Sequence, residues 1–142
     1  MGLSTYYRKF TGPRGGVKMI DKNTGIEIKS WDEPFTFNDY QFTAQQTKIY
    51  SKNLDRVYPA LGLGGETGEV LEIVKKLYRD GTGELTPEIR KALVKEMGDV
   101  VWYLAMLALD FGISFQEIAR ENLIKLFSRK ERNKLHGSGS DR

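Results

Sequence analysis

The sequence predicts an all-α fold, a four-helix bundle behind a short N-terminal extension. Three observations predict it. From Asn38 onward the apolar residues recur at helical rather than alternating spacing. Helix-start and helix-stop signals fall in pairs that cut this region into four segments joined by short loops. A chain of 142 residues also suits one domain with a core of its own. The expected divisions are an extension over 1–35, a helical domain over 36–133 and a Gly/Ser tail over 134–142.

Residues 1–35 lack helical periodicity. They contain Gly12-Pro13 and Gly15-Gly16, and from Val17 to Ile28 short apolar alternations surround Lys22-Asn23-Thr24-Gly25. The pattern fits a small hairpin after a mobile leader, or a segment without fixed structure. The first helix is expected from Asn38, with Gln41 three residues on as a capping partner, and Tyr40, Phe42, Ala44, Ile49 and Tyr50 give it a partly apolar face up to about Lys52. Pro59, tolerated in a first helical turn, marks the start of the second helix, and Asp80-Gly81 ends it after Arg79. Thr86-Pro87 opens the third as N-cap and first-turn proline, and Gly112 stops it after Phe111. Ser114 and Glu117 form an S-x-x-E capping box for the fourth, which runs to roughly Arg132. Short loops imply up-down packing. The tail Gly137-Ser138-Gly139-Ser140 carries no packing signal.

Composition excludes several chemistries. With no cysteine there is no disulfide framework, thiolate metal site or cysteine nucleophile. The single histidine, His136, cannot supply paired imidazoles and reads as a tail residue, so any metal must be held by oxygen. The net charge of +3 is the sum of +2 over residues 1–35, −3 over 36–124 and +4 over 125–142. An acidic middle with basic ends is not the basic stripe of a DNA-binding face, so nucleic acid is not an expected partner. The longest apolar run, Val100 to Leu109, is closed by Asp110 and is too short for a bilayer, and no apolar stretch follows Arg8, Lys9 and Arg14 as in a signal peptide. The expected location is the cytoplasm, with no membrane partner.

The informative residues are carboxylates. The second helix carries Glu66 and Glu69, the third Glu96 and Asp99, each pair three residues apart and so about 300° around the helix, on one face. Like charges so placed repel unless a cation lies between them. Beyond Asp99 no charge occurs until Asp110, so this pair leads into the most apolar stretch of the chain. Four oxygen ligands from two helices suit Mg²⁺ or Mn²⁺, with open positions for water and a phosphate-bearing substrate. A di-iron site would need helical Glu-x-x-His motifs, which are absent. Gly64, Gly65 and Gly68 together cost about 2–3 kcal/mol relative to alanine, which suggests close approach by a backbone or ligand, or an irregular helix start. A solvated-face reading stays open: either acidic pair alone is common on helices, and Glu72 with Lys76 at i,i+4 describes a surface ion pair.

With these residues placed, the chain resembles the MazG-like group of all-α nucleoside triphosphate pyrophosphohydrolases. The resemblance rests on Glu66-x-x-Glu69 followed by Glu96-x-x-Asp99, and extends to Tyr58-Pro59-Ala60-Leu61-Gly62-Leu63, Lys75-Lys76, Val100-Val101-Trp102-Tyr103-Leu104, Asn122-Leu123-x-Lys125-Leu126 with Arg129, and His136-Gly137-Ser138-Gly139. It covers about residues 38–142. The tail departs from the family's usual H-G-S-G-D-N-R by reading Ser140-Asp141-Arg142.

The resemblance implies hydrolysis of a (deoxy)nucleoside triphosphate between the α and β phosphates, yielding monophosphate and pyrophosphate, in a homodimer or homotetramer. Small members of this kind, bacterial or phage-encoded, adjust dNTP pools; a purine such as dGTP is the expected substrate. Carried over, Glu66, Glu69, Glu96 and Asp99 would hold two or more Mg²⁺ ions, for which Mn²⁺ substitutes. Glu69 or Glu72 would accept the proton of the attacking water. Lys76 lies seven residues after Glu69, about 700° on and so on the same face, and is the phosphate-binding candidate of the second helix, or else an ordinary surface lysine. Lys125 and Arg129 are matched by the family pattern and would reach phosphates, or form a solvated last turn favoured by the helix dipole. Asn122 suits a base edge or sugar hydroxyl. Tyr103 or Trp102 would stack on the nucleoside, with core packing as the competing role. The competitors of another class are a nucleic-acid-binding helical module and a non-catalytic oligomerisation bundle.

Overall fold

A computed structural model describes residues 35–136 in full and the backbone of 7–11, 17–21 and 27–28. Two compact units result, Met1–Thr36 and Phe37–Arg142. In the first, β1 (Tyr7–Thr11), β2 (Val17–Asp21) and β3 (Glu27–Ile28) form an antiparallel sheet in the order β1-β2-β3. The β2–β3 pairing, with Met19 opposite Ile28 and Ile20 opposite Glu27, is the hairpin expected over Val17 to Ile28, and β1 adds a strand, pairing Tyr7 with Asp21. The expected turn Lys22 to Gly25 and the Gly/Ser tail from Gly137 lie outside the described residues.

The second unit is all-α, with α1 (Phe37–Ala44), α2 (Val57–Arg79), α3 (Pro87–Asp110) and α4 (Phe115–Glu131). The start signals act as their chemistry requires. The Thr86 hydroxyl accepts from Ile89 N with Pro87 following it, and the Ser114 hydroxyl accepts from Glu117 N. After α3, Gly112 at φ 70° closes a Schellman motif, with Gly112 N donating to Leu109 O and Ile113 N to Ala108 O. Asn133 at φ 54° ends α4 the same way.

Helix α1 is shorter than the sequence suggests, stopping at Ala44 and passing through a 3₁₀ turn, Gln45–Thr47, rather than running to Lys52. Its face is captured by tertiary bonds. Asn38 and Gln41 do not form a capping pair: Asn38 Oδ1 accepts from the Ser114 hydroxyl and from Gln116 N, while buried Gln41 donates to Ala105 O and Ile113 O and accepts from Phe115 N. The two side chains satisfy backbone groups that the α3–α4 corner would otherwise leave unpaired.

The connector from α1 to α2 is held by one carboxylate. Asp110, with its side chain 2% exposed, accepts from Lys48 Nζ at 2.6 Å, Tyr50 OH at 2.8 Å and Arg56 N at 3.1 Å. Arg56 sits at φ 69°, costly for a side-chain-bearing residue, and is fixed there because its Nε also donates to Asp110 O and its guanidinium lies over Phe111. Burial would raise the Asp110 carboxyl, but these hydrogen bonds overcome it and hold the group below the ordinary carboxylate range. Burial and the bond to Asp110 push the Tyr50 phenol up to about 12.

Helices α2 and α3 pack as an antiparallel hairpin, so that Gly62 meets Tyr103 at one end and Ile73 and Leu77 approach Ile89 and Ala92 at the other. Up-down packing stops there, because the chain turns by 102° between α3 and α4, and α4 leans on α1. The core is Ala105, Met106 and Phe115, wrapped by Tyr40, Ala44, Tyr50, Trp102, Leu104, Leu109 and Ile118. Among the described residues no single helix is long and apolar enough to cross a membrane.

Candidate functional site

The α2–α3 pairing brings three of the four expected metal ligands together. Glu66 from α2 and Glu96 and Asp99 from α3 each offer a carboxylate oxygen, and these lie within 4.8 Å of one another. Glu96 is buried, and Glu66 and Asp99 are half-buried. Sequence places them so because Glu96 and Asp99, one turn apart, form a single stripe that the antiparallel crossing sets opposite Glu66. Glu69, expected as the fourth ligand, is exposed and stands outside this group. One turn further along α2 it faces solvent beside the cluster.

Electrostatics mark the cluster as short of positive charge. The Glu66 carboxyl is raised above its ordinary value by burial and then by the charges of Glu69, Asp99 and Glu96. Lys95 donates to Glu96 Oε1 at 2.9 Å, and its ammonium is raised by that bond and by the charges of Glu96, Asp99 and Glu69. Sequence reasoning did not single out Lys95, although its position beside Glu96 was the available signal. Three hard carboxylates of partly buried character, without imidazole or thiolate, fit a divalent cation of the Mg²⁺ or Mn²⁺ type.

Aromatic rings border the cluster. Tyr103, one turn after Asp99, has its phenol raised chiefly by the neighbouring Tyr58 hydroxyl, then by burial and by the charges of Glu66 and Asp99. Its ring lies on Gly62 so closely that a β-carbon there would sit 2.1 Å from Cε1. Tyr58 stacks on Tyr50 with centroids 5.0 Å apart and planes at 25°. Trp102 packs edge-on to Tyr103 and Tyr50 and donates Nε1 to Thr47 Oγ1 at 2.8 Å, so it joins the core wall that carries the connector. Tyr40 also lies near the site: burial, then the charge of Asp99, raises its phenol.

The remaining expected residues are dispersed. Glu72 pairs with Lys75 and, at 3.4 Å, with Lys76, and its carboxyl is lowered chiefly by the bond from Lys75. A carboxylate so paired is a poor proton acceptor. Lys76 borders a cavity of about 640 Å³ with Ile73, Leu77, Glu84, Ile89 and Ala92, at the loop end of the hairpin and away from the carboxylates. On α4, Asn122 and Lys125 are exposed, and no contact among the described residues joins them to the cluster. Arg129 is buried at 7% exposure, so it is not part of a solvated last turn. The glycines separate the alternatives offered for them, since the helix start is regular and leaves their faces uncovered. Gly64, Gly65 and Gly68 face open space within this chain, in a helix that is regular from Val57, and Gly98 does so on α3, whereas Gly62, not singled out from sequence, is closely approached by the Tyr103 ring.

Residues 60–133, which contain all three clustered carboxylates and Tyr103, match the MazG nucleotide pyrophosphohydrolase domain. The chain is also similar to the Gene 37 protein of Mycobacterium phage L5, with 41% identity over 109 residues, or 72% of this chain and 96% of that protein. With its all-α unit and its acidic cluster inside the matched region, the chain belongs to the MazG nucleotide pyrophosphohydrolase family.

Proposed function

We propose that the protein hydrolyses a (deoxy)nucleoside triphosphate at the α–β phosphoanhydride, releasing monophosphate and pyrophosphate and so adjusting the dNTP pool. The observation that carries this reading is the convergence of Glu66, Glu96 and Asp99 within 4.8 Å inside the family-matched region. These three residues would hold the divalent cations, two or more of them by the family resemblance. A bound Mg²⁺ or Mn²⁺ supplies neutralisation of phosphate charge and acidification of a water.

The chain's own residues do the rest. Glu69, exposed beside the cluster and free of the lysine pairing that occupies Glu72, accepts the water proton. Lys95, paired with Glu96 and 73% exposed along its side chain, would be free to neutralise a phosphate oxygen once Glu96 serves a cation. Tyr103 borders the nucleoside, and a wall of tyrosines favours the larger face of a purine, with dGTP the first candidate. Lys76, Asn122 and Lys125 contribute only across an assembly. Self-association is supported by exposed apolar side chains such as Leu61 at 73%, Leu71 at 62% and Tyr78 at 71%.

The test incubates the protein with each dNTP and NTP and Mg²⁺ or Mn²⁺ and identifies the products. Monophosphate with pyrophosphate, lost in Asp99→Asn with the helical circular dichroism intact, supports the reading. Orthophosphate with a diphosphate contradicts the bond assignment, and unchanged turnover in Asp99→Asn removes the cluster from catalysis.

A further inference from the structure

Among the described residues, two open surfaces of the helical unit complement each other. The first is the outer half of α4, where Leu123, Ile124 and Phe127 are each more than half exposed. At about 100° per residue these three fall on one face of the helix, and exposed Arg120 and Lys130 bound the same face at its two ends. From Arg120 to Lys134 six basic side chains stand against Glu121 and Glu131. The second surface is the cavity of about 640 Å³ at the α2–α3 loop end. Half-buried Ile73, Leu77, Ile89 and Ala92 form its apolar floor, and charged side chains are exposed around them. At that rim Glu72 holds Lys76 and Arg79 holds Asp80, so Glu84 and Glu88 set its sign. An acidic rim over an apolar floor suits an apolar helix face with basic ends. The α4 of the same copy does not reach the cavity: the 24 residues of α3, about 36 Å, separate the loop end from the α3–α4 corner, and the chain turns there by 102°.

We infer that two copies of the chain associate by seating Leu123, Ile124 and Phe127 of one α4 in the loop-end cavity of the other copy, with the basic ends of that face against Glu84 and Glu88. This rests on the self-association proposed above and not on the nucleotide chemistry. Each copy offers one face and one cavity, so two copies related by a twofold axis make the contact twice and the assembly closes. The buried apolar side chains supply affinity, with Phe127 as the central anchor. The charges steer the encounter and fix the register of α4 in the cavity.

The experiment is sedimentation equilibrium of the full chain over a range of concentrations, with circular dichroism of each variant as the check on folding. Phe127→Asp spoils the α4 face, and Glu84→Lys with Glu88→Lys reverses the rim of the cavity. Each should raise the Kd of self-association at least tenfold. Lys130→Glu, which leaves every apolar side chain in place, should weaken association in the same direction and keeps the test open if Phe127→Asp does not fold. The decisive arm mixes the Phe127→Asp chain with the reversed-rim chain. Each alone has no intact contact, whereas a mixed pair keeps one, the unaltered α4 of the second in the unaltered cavity of the first, so the mixture should associate more tightly than either. A mixture no tighter than its components overturns the inference, because α4 then packs on something other than the cavity. A wild type that associates while the face and rim variants match it also overturns the inference, and leaves self-association to the α2 surface around Leu61 and Leu71. A wild type that stays monomeric throughout overturns both the inference and the self-association on which it rests.

Discussion

Replacing Asp99 by asparagine should stabilise the protein without cation and abolish its response to one. Glu66, Glu96 and Asp99 offer oxygens within 4.8 Å of one another. Two unit charges at that separation repel by ~3.5 kcal/mol at an effective dielectric of ~20 and by ~0.9 kcal/mol in water. Asp99 is half-buried, and Lys95 already offsets part of the Glu96 charge, so the watery end of that range applies to each pair. Two such pairs give a net relief of about 1–2 kcal/mol, or roughly 3–6 °C in Tm for a chain of this size. For the wild type, Mn²⁺ at roughly 100 times its Kd adds about 2.7 kcal/mol of apparent stability, which the variant should lack. The pH dependence has a definite sign. Because the folded Glu66 carboxyl is raised, the native state holds its proton longer, and stability without cation falls as pH rises through the range just above the ordinary glutamate value. Asp99→Asn should flatten that fall. Calorimetry at low ionic strength, with EDTA and then with Mn²⁺, reads all three effects. A variant that melts at or below the wild type without cation, or that keeps the Mn²⁺ shift, would refute the account of the cluster as a cation-starved site.

Asp110→Ala should cost about 2–4 kcal/mol in denaturant melts, since it leaves Tyr50 OH and Arg56 N without their acceptor around a buried position, while Lys48 keeps its ion pair with Asp55. In the wild type the Asp110 contribution is present above the ordinary carboxylate range and lost as pH falls through its lowered value, while that of Tyr50 is present below its ordinary value and lost as pH rises through about 12. Gln41→Ala should destabilise by about 2–3 kcal/mol, because Ala105 O, Ile113 O and Phe115 N lose a common buried partner; hydrogen exchange should speed first at Phe115. Glu72→Gln should keep turnover within roughly twofold, in contrast to Glu69→Gln, because Glu72 is committed to Lys75 and Lys76; a Glu72 variant as impaired as the Glu69 one would reverse the choice of base.

What sequence could foretell here was local. Thr86-Pro87, Ser114-x-x-Glu117 and Gly112 act within one or two turns, so their readings survive in the structure. The clustering of Glu66 with Glu96 and Asp99 was also legible, because acidic pairs on the faces of two consecutive helices must meet or repel. The failures came where a side chain answers to a distant partner. Asn38 and Gln41 have the spacing of a cap but satisfy the α3–α4 corner more than 60 residues away. Ile49 and Tyr50 look like continuing helix, yet the bond from Tyr50 to Asp110 draws the chain out of it. Glu69 is distinguished from Glu66 only by the helix crossing, and so is Gly62 from its neighbours, since the ring that needs its bare surface comes from another helix.

The Asp110 anchor also turns α3 into a ruler. Asp99 and Asp110 stand on one helix, eleven residues apart by their numbers, which an α-helix converts to about 16 Å along its axis. The carboxylate cluster hangs from one mark and the loop that carries Tyr50, and with it Tyr58, from the other. Point substitutions between them change texture but not length. Inserting or deleting a single residue there would rotate one mark against the other by about 100° and slide it about 1.5 Å, so no local repacking could keep both in gear. This stretch of α3 should therefore tolerate changes of residue far more readily than changes of residue number.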